Sequence, residues 1–319
     1  PEEAEGHFAV AALALEADQV EVAGAAAERA VTLAPDWPRA GMIRARILLA
    51  AGDVDAGIAA ARAVVAAHQE PEVALEFAGL LADQGLYDGA RAVLAGLLQA
   101  EPDMPEALYA SGLLELRAGD PEQARVHFTN LLSTGERRLD ALYFLANVAE
   151  QLDEKADALQ LYLRVRSGRH YSSAQFQIGR LLFDLGQRDA AFDHLERYAS
   201  RFPEERESVL LVQGGLLSSN DEQQAAIDLY SEALEADPDA RSLRYARALL
   251  YERLDQVDMA LADLFLLVET EPEDSSALNA LGYTLADRTD RYEEAYSYIE
   301  RALQMRPDEG PVLDLSLIH

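Results

Sequence analysis

The 319-residue sequence contains no cysteine, a single lysine (Lys155), a single tryptophan (Trp37) and only 27 basic residues against 57 acidic ones. Without cysteine there is no disulfide, no thiolate chemistry and no cysteine metal ligand, an absence that fits an oxidising compartment. The formal net charge of -30 offers no basic footprint to the phosphates of nucleic acid and none to an anionic membrane surface. Such a charge attracts a basic partner; it also serves solubility, and both readings stay open. No apolar run is long enough to span a bilayer, and no signal peptide is visible. The sequence begins at Pro1 rather than Met, so we expect that an N-terminal segment has been removed. Abundant alanine, with arginine in place of lysine, has the codon bias of a GC-rich bacterial genome.

Half of the residues are hydrophobic, and they recur with a period. Units start at Ala4, Pro38, Pro71, Pro105, Leu139, Ser172, Arg206, Arg241 and Ser275, spaced 33 to 35 residues apart. In the last, Leu278, Leu281, Gly282 and Leu285 occupy unit positions 4, 7, 8 and 11, followed by Ala295, Ile299, Ala302 and Pro307. The unit from Ser172 repeats this with Ile178, Gly179, Leu182, Ala191, Leu195 and Pro203. Positions 4, 7, 8 and 11 form one stripe of a first helix, and positions 20, 24 and 27 the facing stripe of a second. Small residues at 8 and 20 let the two axes approach. Between them lie breakers such as "AGDVD" and "DLGQRD", and proline near position 32 ends the second helix. A lone helix pair cannot bury its apolar face, whereas stacked pairs can.

The pattern resembles the tetratricopeptide repeat (TPR) family over residues 4–309. The resemblance implies an all-α TPR α-solenoid, a right-handed superhelix of nine helix-turn-helix repeats. Residues 310–319 then read as the truncated start of a further repeat, a non-native remnant, or both. The ninth repeat has a narrower likeness. Asn279, Ala280, Leu281, Gly282, Tyr283, Glu293, Glu294, Ala295, Pro307, Leu313 and Asp314 resemble the C-terminal signature of bacterial outer-membrane TPR lipoproteins. In that group are adaptors that bring a carboxyl-terminal processing protease to cell-wall (peptidoglycan) hydrolases. The resemblance implies a periplasmic protein anchored to the outer membrane as a lipoprotein in its full-length form. The lipidated cysteine that this requires would precede Pro1.

Catalysis needs convergent titratable groups. The sequence holds no His-Glu-x-x-His, no phosphate loop and no nucleophile elbow. Gly214 and Gly215 read as close-packing residues of a first helix. His7, His68, His127, His170, His194 and His319 read as ordinary surface or core histidines, and Glu293-Glu294 as a solvated face. No catalytic residue, metal or cofactor is expected.

Binding is the better reading. In the TPR family the first helices line the concave face. Unit position 5 supplies Phe8, Met42, Leu75, Tyr109, Tyr143, Phe176, Leu210, Tyr245 and Asn279, and position 9 adds Asn147, Arg180 and Tyr283. These residues are candidates to grip a peptide; alternatively, position 5 packs against the preceding repeat's second helix. Asn147 and Arg180 are the only plausible members of the carboxylate clamp that some TPR domains carry. The expected function is a non-catalytic scaffold, an adaptor for the protease and its hydrolase substrates. Alternatives are a scaffold for envelope assembly or polysaccharide export, or the repeat module of a larger enzyme.

Overall fold

The structure, a computed structural model, describes residues 2–305. It is all-α: among these residues there are eighteen α-helices, one 3-10 turn at Pro203–Glu205 and no strand. Pro307, Leu313, Asp314 and the tail 310–319 lie outside the described residues. None of the described helices is long and apolar enough to cross a membrane. The chain divides into two compact units, one ending at Tyr171 and the other starting at Ser172.

The first unit contains five helix pairs: α1 (Glu2–Glu16) with α2 (Val20–Leu33), α3 (Pro38–Ala50) with α4 (Val54–Ala67), α5 (Pro71–Asp83) with α6 (Tyr87–Ala100), α7 (Pro105–Ala118) with α8 (Pro121–Thr134), and α9 (Arg138–Gln151) with α10 (Lys155–Tyr162). The second contains four: α11 (Tyr171–Asp184) with α12 (Arg188–Arg201), α13 (Arg206–Ser219) with α14 (Gln223–Ala236), α15 (Arg241–Arg253) with α16 (Val257–Thr270), and α17 (Ser275–Arg288) with α18 (Tyr292–Met305). Each odd-numbered helix begins within two residues of a unit start read from the sequence.

Local chemistry explains these boundaries. Pro38, Pro71 and Pro105 occupy the first turn of α3, α5 and α7, where a missing N–H costs nothing and φ is already helical. Between first and second helices, eight of the nine turns pass through one left-handed residue. It is glycine at Gly52, Gly85, Gly119 and Gly186 and aspartate at Asp18, Asp153, Asp221 and Asp255. The next residue's N–H then closes back on the helix, as from Asp120 to the Glu115 carbonyl at 2.8 Å and from Glu154 to that of Ala149 at 2.8 Å. This satisfies carbonyls that the helix end would orphan. Glycine enters this region freely and aspartate at small cost. Gly119→Ala should therefore destabilise the first unit by about 1 kcal/mol, read as a lower denaturation midpoint. An unchanged midpoint would contradict this account of the turn.

Within each pair, position 20 of the second helix is fully buried alanine in most repeats, for example Ala90, Ala124, Ala158 and Ala191 at 0% exposure. The glycine at position 8 is required by contact: a Cβ on Gly112 would lie 2.5 Å from Phe128 Cζ, and one on Gly179 2.7 Å from Leu195 Cγ.

Two repeats depart from the sequence reading. A start at Arg206 puts Gln213 at position 8, yet the residue that approaches the second helix is Gly214, where a Cβ would collide with the Tyr230 ring. The 3-10 turn Pro203–Glu205 lies in this link, and the repeat in phase starts at Glu207. Its position-5 residue is Leu211, half-buried, while Leu210 belongs to the core at 8% exposure. Gly215 faces open space and has no packing role. In the fifth repeat α10 stops at Tyr162 after 8 residues. Val165, expected on its stripe, is buried at 1% but sits in the loop 163–170.

Candidate protein-binding surfaces

Because α10 is short, the loop 163–170 packs on the first unit where other repeats continue as helix. The loop 163–170 turns back through Gly168 (φ +85°) and brings two side chains onto α7 and α9. Arg169 donates to the Tyr109 hydroxyl at 3.0 Å and to Asp140 at 2.8 Å. His170 stacks on Tyr143 with ring centroids 4.2 Å apart. Arg137, held in the left-handed region at φ +45°, places its guanidinium 3.6 Å from the Tyr109 ring centroid. Beneath them Phe128 stacks on Phe144 at 5.2 Å, and Tyr109 meets Phe144 edge-on at 5.6 Å. Tyr162 donates to Glu150 at 2.7 Å, and burial pushes the Tyr162 hydroxyl pKa well up. Tyr109 and Tyr143 therefore present partly covered rings, each already in contact with a cation or imidazole of the same unit. Arg164 and Arg166 on the loop are exposed.

The other position-5 residues vary. Phe8, Leu75, Phe176, Tyr245 and Asn279 are half-buried. Phe8 packs on Trp37 at 5.0 Å, and Phe176 on Tyr198 at 5.6 Å. Met42, at 1% exposure, is core and offers no surface; Leu210 is displaced into the core by the register shift. Among position-9 residues, Asn147 accepts from Gln151 at 3.2 Å, and Arg180 donates to Gln177 at 2.8 Å and reaches Asp184 at 3.3 Å. Both side chains thus already have partners on their own helices. Tyr283 is exposed at 38%, and the Asn279 carboxamide oxygen is buried without a partner among the described residues.

Sequence reasoning missed two clefts between a second helix and the next repeat. In the first unit, a cleft of about 440 Å³ is lined by Arg91, Leu94, Leu98, Ser111, Glu115 and His127. Arg91 grips the buried Glu115 with Nε at 2.9 Å and Nη2 at 2.7 Å, tying α6 to α7 through a bidentate, charge-assisted contact. In the second unit, a cleft of about 760 Å³ runs over α12, α13 and α14 to the start of α15. Phe192, Leu210, Leu229 and Leu243 give it an apolar floor, and Asp193, Glu196, Glu204, Glu207, Glu232 and Asp237 line it with carboxylates. Its available signal in the sequence was Gln213, a long polar residue on the core stripe. No group of three metal-ligating side chains converges among the described residues.

His127 lies on the first cleft, and both it and His194 have a buried ring nitrogen without a partner. Burial lowers both pKa values from 6.5; Glu115 opposes the shift at His127, while Arg197 adds to it at His194. Burial therefore biases both imidazoles towards the neutral form in the fold. Below pH 6.5 the unfolded chain binds protons that the folded chain refuses, so stability falls as pH falls towards the folded-state values. Stability should be lower at about pH 5 than at about pH 7, and the double variant His127→Gln, His194→Gln should lose part of that dependence. An identical pH profile in the variant would contradict the assignment.

Comparison with known families agrees with this architecture. Models of the tetratricopeptide repeat match residues 42–105, 75–128 and 109–173, 173–205 and 275–309, together more than half of the chain. A TPR repeat-containing protein of Pseudomonas aeruginosa is 36% identical over 177 residues, 55% of this chain and 30% of that protein. The chain thus spans less than a third of that relative's length. Among solved structures, that of Pseudomonas aeruginosa pilF shares 17% identity with a TM-score of 0.47, covering 68% of this chain and 98% of its own. A tetratricopeptide repeat protein from Parabacteroides merdae shares 13% with a TM-score of 0.45, covering 89% and 100%.

Proposed function

The chain belongs to the tetratricopeptide repeat family, a fold that serves protein binding, and on that premise we propose that it is a non-catalytic adaptor. Its partners in this reading are a carboxyl-terminal processing protease and the peptidoglycan hydrolases that the protease cleaves. Holding both on one repeat array raises their effective concentration for each other. The observation that carries the proposal is the likeness of the ninth repeat, Asn279 to Tyr283 with Glu293 to Ala295, to outer-membrane TPR lipoproteins. The proposal locates the full-length protein in the periplasm, anchored to the outer membrane by lipid. Its candidate grip is the first-helix surface that carries Phe8, Leu75, Tyr109, Tyr143, Phe176, Tyr245 and Asn279, with Asn147, Arg180 and Tyr283 beside it.

The test is a cleavage assay with purified protease and a purified hydrolase, with and without this chain. The expected result is binding of both proteins and faster cleavage when all three are present. Binding of neither protein would overturn the adaptor reading. A second reading, a repeat module within a longer protein, is favoured by the 30% coverage of the Pseudomonas aeruginosa relative. Sequencing the complete gene decides it.

A further inference from the structure

We infer that the acidic cleft of the second unit is a docking site for a basic, extended peptide segment in which cationic and apolar residues alternate. Three observations meet there. The floor is apolar, with Phe192, Leu210, Leu229 and Leu243 along about 760 Å³ of open volume. Around that floor stand six carboxylates against one lining cation, Arg206, which is already paired with Glu196 at 2.9 Å. Glu204 and Glu232 have neither a cation partner nor a side-chain hydrogen bond among the described residues. The third observation is Gln213. It lines the cleft, is 6% exposed, and its carboxamide makes no hydrogen bond among the described residues.

The residue is largely buried, yet its carboxamide atoms are not fully enclosed, so they open onto the cleft and offer two donors and an acceptor to whatever enters it. An extended backbone presents the matching N–H and C=O groups. Side chains then alternate to opposite sides of it, so apolar residues can meet the half-buried Phe192 and Leu229 while arginines or lysines meet the carboxylates. Charge complementarity selects this occupant over an acidic segment, whose charges would face six like charges at close range. Glu207 has a second task, accepting the Ser242 N–H at 3.1 Å, and anchors the start of α15 beside the cleft. The inference rests on the protein-binding reading and adds where the contact lies and what chemistry it recognises.

The experiment is fluorescence anisotropy of a short labelled peptide alternating arginine and leucine, titrated with the full chain. The expected result is saturable binding that weakens with salt, and none for the glutamate–leucine counterpart. Glu204→Gln with Glu232→Gln should weaken binding about tenfold. The same charge change outside the cleft, Glu2→Gln with Glu3→Gln in the first unit, should alter it by less than about twofold. Gln213→Leu, which changes no charge, should weaken binding about tenfold while circular dichroism keeps its native helical signal. If the first-unit pair weakens binding as much as the cleft pair, or Gln213→Leu leaves it unchanged, the cleft is overturned and the attraction belongs to the whole acidic surface. A chain that binds the processing protease but not the peptide loses the cleft and keeps the scaffold. A chain that binds neither loses both.

Discussion

Asp263→Ala is expected to destabilise the second unit by about 3–5 kcal/mol, the range for stripping one partner from a buried ion pair. Asp263 is 5% exposed. Arg247 grips it with Nε at 2.8 Å and Nη2 at 2.7 Å, and Arg244 approaches at 3.4 Å. The two guanidiniums are themselves sheltered, with side-chain exposures of 12% for Arg244 and 15% for Arg247. Arg247 also donates to Ser231 at 3.0 Å and Arg244 to the Pro238 carbonyl, so the network joins α14, α15 and α16. Removing the carboxylate leaves two largely sheltered cations with neutral acceptors only. The readout is the unfolding transition of the full chain by circular dichroism, with amide exchange to localise the loss, because repeat arrays need not unfold as one step. A loss below about 1 kcal/mol would show that the triad is effectively solvated. The triple variant Arg244→Leu, Arg247→Met, Asp263→Leu should recover most of the stability, since an apolar replacement of a buried triad is often neutral or better.

Phe128→Ala should cost the first unit about 3–5 kcal/mol. Phe128 is 0% exposed, stacks on Phe144 and fills the space that Gly112 leaves open on the neighbouring helix. Gly112→Ala alone should cost about 1–3 kcal/mol by overpacking. Combined, the two should cost less than their sum, because the new methyl occupies part of the emptied space. Strict additivity would contradict the contact. The same change reaches the surface: Tyr109 rests edge-on against Phe128 at 6.4 Å and carries Arg137 and Arg169. Loss of the ring below should loosen the loop 163–170 above it.

Much of this architecture was legible because the repeats draw on three independent signals: proline at a helix start in three of them (Pro38, Pro71 and Pro105), a left-handed glycine or aspartate in eight of the nine turns, and a small residue where axes meet. Where a signal was doubled or displaced, reading failed. Gly214-Gly215 offered two small residues in succession, and only contact with Tyr230 shows which one meets the second helix. The early end of α10 was hidden, since Tyr162 and Val165 keep the apolar spacing of a helix although the chain leaves it between them. The Asp263 triad was readable in principle. Arg244 and Arg247 occupy positions 4 and 7, the stripe that carries Leu278 and Leu281 two helices later, and arginines on a core stripe require a carboxylate. Apart from the trace left by Gln213, the clefts were not readable, because they depend on how far a second helix stands from the next repeat. No residue pattern within one repeat encodes that distance. The position-5 ladder was seen as a set, but periodicity could not tell the buried Met42 from the half-buried Tyr143.

The central claim, that this repeat array holds protein partners on its first helices, is tested most directly by hydrogen–deuterium exchange with and without saturating purified processing protease. The account predicts new protection on successive odd-numbered helices, strongest in peptides that contain position-5 and position-9 residues, with the even-numbered helices outside the acidic cleft of α12 and α14 little changed. No protection anywhere, or protection confined to the even-numbered helices, would contradict it.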